Sequence, residues 1–195
     1  KGEEDKVFAA MQKLLDEDVT LKLFRDEETG DILLSGMGQL HIETSVEKAK
    51  RRYKVEIVLK TPKIPYRETI KARAEVQGRH KKQSGGRGQF GDCWIKMEPQ
   101  PRGAGYEFVD AIVGGVIPRQ FIPAVDKGIQ EALGRGYLAG YPVVDFKVTL
   151  YDGSYHSVDS SEMAFKVAGS LAFKKAMEKC KPILLEPIVL LTVSV

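Results

Sequence analysis

The segment from Arg79 to Gly91 has the composition of a loop that contacts a polyanion. It holds four Lys or Arg side chains, one histidine and four glycines, and it contains no carboxylate. Glycine allows the backbone to turn sharply and to approach a ligand closely, while the basic side chains place positive charge along the same short path. These properties suit the phosphate backbone of a nucleic acid, either RNA or DNA.

Two other interpretations of this segment stay open. A solvated, flexible hairpin would carry the same charges only to remain soluble. An enzyme-like phosphate cradle is less favoured, because the chain lacks the GxxxxGKS/T pattern and because Gly86-Arg-Gly88 does not open a helix.

A second polar loop, Asp152–Val158, offers groups for hydrogen bonding and stacking, among them those of Tyr155, His156 and Ser157. Catalysis by His156 would need a nucleophile or a partner acid, and the sequence contains no nucleophile motif. A structural turn histidine and a contact to a ligand or RNA are the remaining interpretations. If both loops point the same way, they form one tip.

The elements around the two loops are predicted to hold them away from the body of a domain. Alternating residues predict strands over Thr69–Val76 and Asp92–Met97, so the basic segment between them is predicted to be a hairpin tip. Asp159 and Glu162 have the spacing of a capping box for the last helix. The further predicted elements are the strand Tyr106–Ile112, the helix Phe121–Leu133, the strand Val143–Leu150 and the helix Ser160–Lys179.

The first 60 residues predict a separate unit of helix, strand, strand, helix and strand. This order is five-sixths of a ferredoxin-like βαββαβ sandwich without its opening strand, so we expect the chain to be a piece of a longer protein. His41 is interpreted as an ordinary histidine near a helix N-terminus. Prolines mark Thr61–Tyr66 as a linker to the second unit. The predicted elements are the helix Glu3–Asp16, the strands Thr20–Asp26 and Asp31–Ser35, a helix after Gly36-Met-Gly38, and the strand Val55–Leu59.

Charge is distributed unevenly along the chain. The net charge is +3, but residues 1–60 carry −2 and residues 61–195 carry +5, so the second unit is the one expected to meet a polyanion. The two cysteines, Cys93 and Cys180, predict neither a disulfide framework nor a metal site and fit a reducing, cytoplasmic environment. No apolar run is long enough for a membrane span.

Five motifs in this order closely resemble bacterial-type translation elongation factor G, and the resemblance spans the whole chain. They are Gln83–Gly91, Gly114–Pro118, Tyr141–Asp145, Asp152–His156 with Val158–Glu162, and Ser35–His41. The resemblance implies that residues 1–61 form the third domain of that factor without its first strand, 62–185 the fourth, and 186–195 the first strand of the fifth. It also implies an α+β fold in which the fourth domain has a left-handed βαβ crossover, similar to a ribosomal protein domain.

The same resemblance implies a function. In this family the fourth domain enters the decoding site of the small ribosomal subunit while the factor moves tRNAs and mRNA by one codon. Its tip contacts RNA, and Gln83 and His156 are the side chains that the resemblance singles out. The implied contact residues are Gln83, Ser84, Gly85, Gly86, Arg87, Gly88, Ser154, Tyr155, His156 and Ser157, with Arg79, Lys81 and Lys82 as auxiliary basic residues. Asp92 and Cys93 depart from the family pattern, which implies a basic or neutral residue followed by an aliphatic one at these positions.

The implied partners are the ribosome, tRNA and mRNA, with no membrane, and we expect a cytoplasmic monomer. The third domain of the family carries part of the fusidic acid pocket in the intact factor. GTP and Mg²⁺ belong to a GTPase domain that this sequence does not contain, so the fragment itself is expected to have no catalytic residue, no metal and no cofactor, whereas its parent would be a GTPase.

Three alternatives to the translocase remain. A paralogue specialised for ribosome recycling would share the whole plan. A ribosomal-protection or release GTPase would place other residues on the tip. A free-standing RNA-binding module would need a complete first unit.

Overall fold

The computed structural model describes residues 2–26, 29–83, 88–190 and 192, with the side chains described from Asp5 onward. The chain divides into two compact units, Lys1–Pro65 and Tyr66–Val195. Both units mix helices and strands, which confirms the predicted α+β class. None of the helices in the described ranges has the length and apolar character that crossing a membrane requires.

The first unit packs two helices with a short hairpin. Its elements are α1 (Gly2–Glu17), β1 (Lys22–Arg25), β2 (Ile32–Ser35) and α2 (Gln39–Tyr53), and β1 pairs with β2 in antiparallel fashion. Met11 and Leu14 of α1 are buried together with Ala49 of α2, as their helical spacing predicts. His41 joins the two helices, because its Nε2 lies 2.8 Å from Asp18 Oδ2 and its Nδ1 accepts from the Met37 backbone N–H at 3.1 Å.

The predicted strand Val55–Leu59 is not formed. Residues 54–66 have no assigned helix or strand, and Val58 is 80% exposed. A strand needs a neighbour for its backbone hydrogen bonds, and among the described residues of this unit only β1 and β2 form a ladder. The alternating pattern therefore matches the burial of Val55 and the partial burial of Ile57 but did not indicate a sheet.

The second unit is built on a four-stranded sheet with the order β4-β5-β7-β6. Its strands are β4 (Ala74–Lys82), β5 (Gln89–Pro99), β6 (Tyr106–Asp110) and β7 (Phe146–Ser154). The β4–β5 and β5–β7 pairs are antiparallel, and β6 pairs with β7 in parallel fashion. The helix α3 (Ile122–Arg135) lies between β6 and β7 in the chain, so this parallel pair contains the expected crossover, whose left hand stays a prediction.

The core of this unit lies between the sheet and α4 (Glu162–Lys179), against which α3 also packs. Ile95, Met97 and Leu150 project from the sheet onto Phe165 and Phe173 of α4, and all five are buried. Such burial of large apolar side chains is the main source of stability for the two elements that carry the loops.

Two local predictions for this unit were wrong. The strand predicted over Thr69–Val76 is two strands: β3 (Arg67–Ile70) pairs with β8 (Pro182–Leu185), and β4 begins only at Ala74. The backbone turns between them, where the N–H groups of Lys71 and Ala72 both donate to the Cys180 carbonyl. Alternation along one strand cannot indicate which partner each part selects.

The second wrong prediction concerns the start of α4. Ser161, and not Asp159, caps α4, since its side chain accepts from the Ala164 N–H at 3.2 Å. The strand expected over 186–195 stays a prediction, since residues 186–190 and 192 pair with no strand that the structure describes. Ile188 and Leu190 are each 97% exposed there.

Candidate nucleic-acid interface

The register of the sheet brings the two predicted loops to the same end of the second unit. Lys82 pairs with Gln89 at the end of the β4–β5 hairpin, and Asp92 pairs with Ser154 where β7 ends. The hairpin turn and the loop that follows β7 consequently leave neighbouring strands at the same edge. We call the described residues of these two segments, 79–83, 88–92 and 154–160, the tip.

Direct hydrogen bonds join the two segments. The Phe90 N–H donates to the Asp159 carbonyl at 2.9 Å, and the Ser160 hydroxyl donates to the Phe90 carbonyl at 2.9 Å. The Gly88 N–H donates to Asp159 Oδ1 at 3.1 Å. The predicted side-by-side arrangement of the loops is therefore observed, and the bonds make it a defined arrangement.

The described contact residues are mostly exposed. Gln83, Ser154, Tyr155, His156 and Ser157 are all exposed, and Gly88 is half-buried. The predicted residues Ser84, Gly85, Gly86 and Arg87 lie outside the described residues. Side chains that could donate to or stack on a ligand, among them Gln83, Tyr155 and His156, are thus accessible on both segments. The Ser154 hydroxyl, by contrast, already donates to Asp92.

Positive charge lines the β4 side of the tip. Arg79, Lys81 and Lys82 are exposed, and none of them forms an ion pair with the carboxylates of the described ranges. The Arg79 guanidinium lies 5.7 Å from the centroid of the Phe90 ring, a cation–π contact within the hairpin. The Phe90 ring in turn lies 6.5 Å from the His156 ring.

Asp92 explains the departure from the family pattern. It is only 7% exposed, and its oxygens accept from Gln77 Nε2 and from the Ser154 hydroxyl, each at 2.7 Å. Its carboxylate therefore links β4, β5 and β7 beneath the tip instead of presenting negative charge to a ligand. Sequence reasoning missed this role, although a carboxylate within an alternating strand, with Gln77 close to it in the hairpin register, was the available signal.

Two glycines of the hairpin have a packing role that the sequence interpretation did not assign. A Cβ on Gly91 would lie 2.5 Å from the Ala164 carbonyl oxygen, and a Cβ on Gly78 would lie 2.2 Å from that of Ala168. Both contacts are with the backbone of α4, so no side-chain movement could relieve them. Gly91 was predicted to give the loop freedom, whereas it lies inside β5 and lets the hairpin pack directly on α4.

The described geometry contains groups that could bind a ligand. No group of three His, Cys, Asp or Glu residues among the described positions could hold a metal ion. The buried thiols of Cys93 and Cys180 lie away from solvent, and burial raises their pKa values to about 12 and about 11. Exposed donors, an imidazole and unpaired cations at one edge are the groups that bind an RNA backbone.

Comparison with known proteins agrees with this arrangement. Residues 1–61 match the family model for domain III of elongation factor G, and residues 62–181 match that for domain IV. A crystal structure of a protein from Thermus thermophilus is 50% identical to the chain, with a TM-score of 0.79 over 94% of it. The match covers 27% of the Thermus protein, so the chain spans about a quarter of the length of that relative.

Proposed function

Because the chain belongs to the elongation factor G family, we propose that it is the part of a ribosomal translocase that enters the decoding site of the small subunit. In this proposal the tip contacts the anticodon arm of the peptidyl-tRNA and the mRNA while both move by one codon. The observation that carries the proposal is the hydrogen-bonded placement of the two exposed loops at one edge, next to unpaired cations.

The mechanism that this tip supports is steric and electrostatic. The buried Asp92 contacts and the close backbone packing of Gly78 and Gly91 on α4 make the hairpin a stiff support. Arg79, Lys81 and Lys82 attract phosphates without regard to sequence, and Gln83 and His156 contact RNA from neighbouring loops. A stiff tip that recognises shape can occupy the position a tRNA leaves at any codon.

The chemistry of GTP is assigned to another part of the intact protein. The matched family models are domains III and IV, and the chain covers about a quarter of its Thermus relative. We propose that the parent is a cytoplasmic GTPase that uses GTP and Mg²⁺ in a different domain, and that this chain transmits the resulting movement to RNA. We also propose that the fourth domain ends at 185, because β8 (Pro182–Leu185) completes a sheet with β3.

The test uses the intact factor with Gln83→Ala and His156→Ala combined. We expect translocation to slow by about tenfold or reading-frame errors to rise, since about two net hydrogen bonds at ~0.5–1.5 kcal/mol each are lost. GTP turnover on ribosomes should remain nearly unchanged. Gln130→Ala, an exposed substitution on α3, is the matched control. Normal rate and frame in the double variant would refute the proposal.

A further inference from the structure

Asp159 is the residue through which the two loops of the tip meet. Its side-chain Oδ1 accepts from the Gly88 N–H at 3.1 Å, and its carbonyl accepts from the Phe90 N–H at 2.9 Å. Its other carboxylate oxygen, Oδ2, lies 3.5 Å from His156 Nδ1. One residue of the second loop thus contacts the first loop twice and also faces the exposed histidine.

The approach of Gly88 to this carboxylate is close. A Cβ on Gly88 would lie 2.9 Å from both Cγ and Oδ2 of Asp159, a distance that a side chain does not normally adopt. The backbone of the first loop therefore packs directly onto the carboxylate. Because Asp159 does not cap α4, its oxygens are available for these contacts.

The histidine has a defined orientation relative to the same residue. The Nδ1 atom of His156 accepts from the backbone N–H groups of Val158 at 3.4 Å and Asp159 at 3.3 Å. A neutral imidazole whose Nδ1 accepts must carry its proton on Nε2.

Nε2–H is therefore the group that the tip offers to a ligand. His156 is 56% exposed, and its Nε2 has no hydrogen-bond partner in the ranges that the structure describes. A donor in this position pairs with an acceptor and repels another donor.

We propose that Asp159 is the positioning residue of the tip, which ties Gly88 to the second loop and holds His156 so that Nε2–H donates to an acceptor atom on RNA. The inference that the acceptor belongs to RNA rests on the proposed function, whereas the orientation of His156 does not. Phosphate oxygens and ribose hydroxyl oxygens are the two sources of such an acceptor.

The first experiment tests the orientation alone. Nitrogen-15 NMR of the histidine rings in the 195-residue chain should show the neutral His156 ring as the Nε2–H tautomer. Asp159→Ala should shift the Gly88 amide signal, because it removes the Oδ1 acceptor, and should keep the Nε2–H tautomer, because the backbone N–H donors to Nδ1 remain. Asp152→Ala, a nearby exposed substitution, should change neither signal, and an unshifted Gly88 signal in Asp159→Ala would overturn the positioning role. A tautomer mixture for His156 in the unsubstituted chain would overturn the positioning role.

The second experiment tests the donor in the intact factor. Glutamine can place its amide Nε2–H near the position of the histidine Nε2–H, whereas asparagine is too short to do so. His156→Gln should keep translocation within about twofold, and His156→Asn and His156→Ala should slow it by about fivefold, which corresponds to about 1 kcal/mol. Equal slowing by all three would overturn the donor assignment.

The two experiments also separate this inference from the proposed function. If none of the three variants slows translocation, the RNA contact and the proposed function both fail, while the NMR result still judges the role of Asp159. An anticodon-arm RNA with methylphosphonate linkages and one with 2′-deoxyribose then identify the acceptor. The difference between the unsubstituted factor and His156→Ala should disappear with one of these two modified RNAs. If the difference survives with both, neither a phosphate nor a ribose oxygen is the acceptor.

Discussion

The Ser154 hydroxyl donates to the buried carboxylate of Asp92 at 2.7 Å, so the strand that carries the second loop is bonded to the centre of the hairpin that carries the first. Gln77 Nε2 donates to the other oxygen of Asp92 at 2.7 Å. A single carboxylate thus connects three strands beneath the tip. The placement of both loops depends on it.

Replacing Asp92 should weaken the second unit. Asp92→Ala would leave the Gln77 amide and the Ser154 hydroxyl without their acceptor, and we expect it to lower the free energy of unfolding by about 2 kcal/mol. Asp152→Ala, exposed on the neighbouring strand, should change it by less than about 0.5 kcal/mol. Urea unfolding followed by the fluorescence of Trp94, the one tryptophan of the chain, measures both. Equal urea midpoints for Asp92→Ala and the unsubstituted chain would contradict the role of Asp92.

Glu68 should make the second unit sensitive to acid. It is fully buried, and its oxygens accept from the backbone N–H groups of Tyr137, Leu138, Ala139 and Tyr141 at 2.7–3.3 Å. Burial by itself would raise the pKa of Glu68, but these four donors outweigh it and hold the pKa below its ordinary value.

A lowered pKa in the folded state means that the carboxylate contributes stability above its ordinary pKa and that this contribution is lost as the pH falls. Glu68→Gln should therefore cost roughly 3 kcal/mol at pH 7 and progressively less below about pH 4. Glu75→Gln, on an exposed position of β4, is the control. A cost for Glu68→Gln that does not change between pH 7 and pH 3 would show that the charge is unimportant.

Gly91 should tolerate no side chain. In Gly91→Ala the new Cβ would meet the backbone of Ala164 at 2.5 Å, so β5 and α4 must separate, and we expect a loss of about 2 kcal/mol or more. Gly134→Ala is the matched control, because no atom lies within 4 Å of its Cβ position on α3. Alanine is also the better helix former there, so this variant should be neutral or up to about 1 kcal/mol more stable. Thermal unfolding of the two variants compares them directly.

The two thiols should be inert in the folded protein. Burial, assisted by the nearby charge of Asp92, raises the pKa of Cys93 to about 12, and burial raises that of Cys180 to about 11. The thiolate is the reactive form, so a disulfide reagent at pH 8 should label neither cysteine until urea unfolds the unit. Ser157→Cys, in the exposed second loop, should react at once under the same conditions. Rapid labelling of the unsubstituted chain would contradict the burial.

The basic residues of β4 should act through salt-dependent binding. Lys81→Ala with Lys82→Ala should reduce the affinity of the chain for an anticodon-arm RNA and lower the slope of log affinity against log salt by about 1.4, or about 0.7 per phosphate contact. Lys174→Ala with Lys179→Ala removes the same charge from the exposed side of α4 and is the control. Equal slopes for the two double variants would mean that general charge, and not the tip, binds the RNA.

Elements held by interactions between near neighbours in the sequence could be predicted, whereas elements that depend on distant segments could not. The helices α1 to α3 followed from periodicity and end signals within their own sequence, because helical hydrogen bonds connect near neighbours. The helix α4 was predicted from a cap at Asp159, whereas its cap is Ser161. The segments 55–59 and 69–76 have equally clear alternation, yet one forms no strand and the other forms two. Strand pairing is decided by distant segments, which alternation does not report.

The same distinction between local and distant causes applies to the candidate site. Composition alone indicated two polar loops, one of them cationic, since charge and glycine content are properties of the residues themselves. Only the tertiary structure brought Gly88 to Asp159 and Asp92 to Ser154. The spacing of Asp159 and Glu162 predicted a helix cap, but a carboxylate bonds to whichever donor the fold places beside it, and here that donor is the Gly88 N–H, 71 residues away.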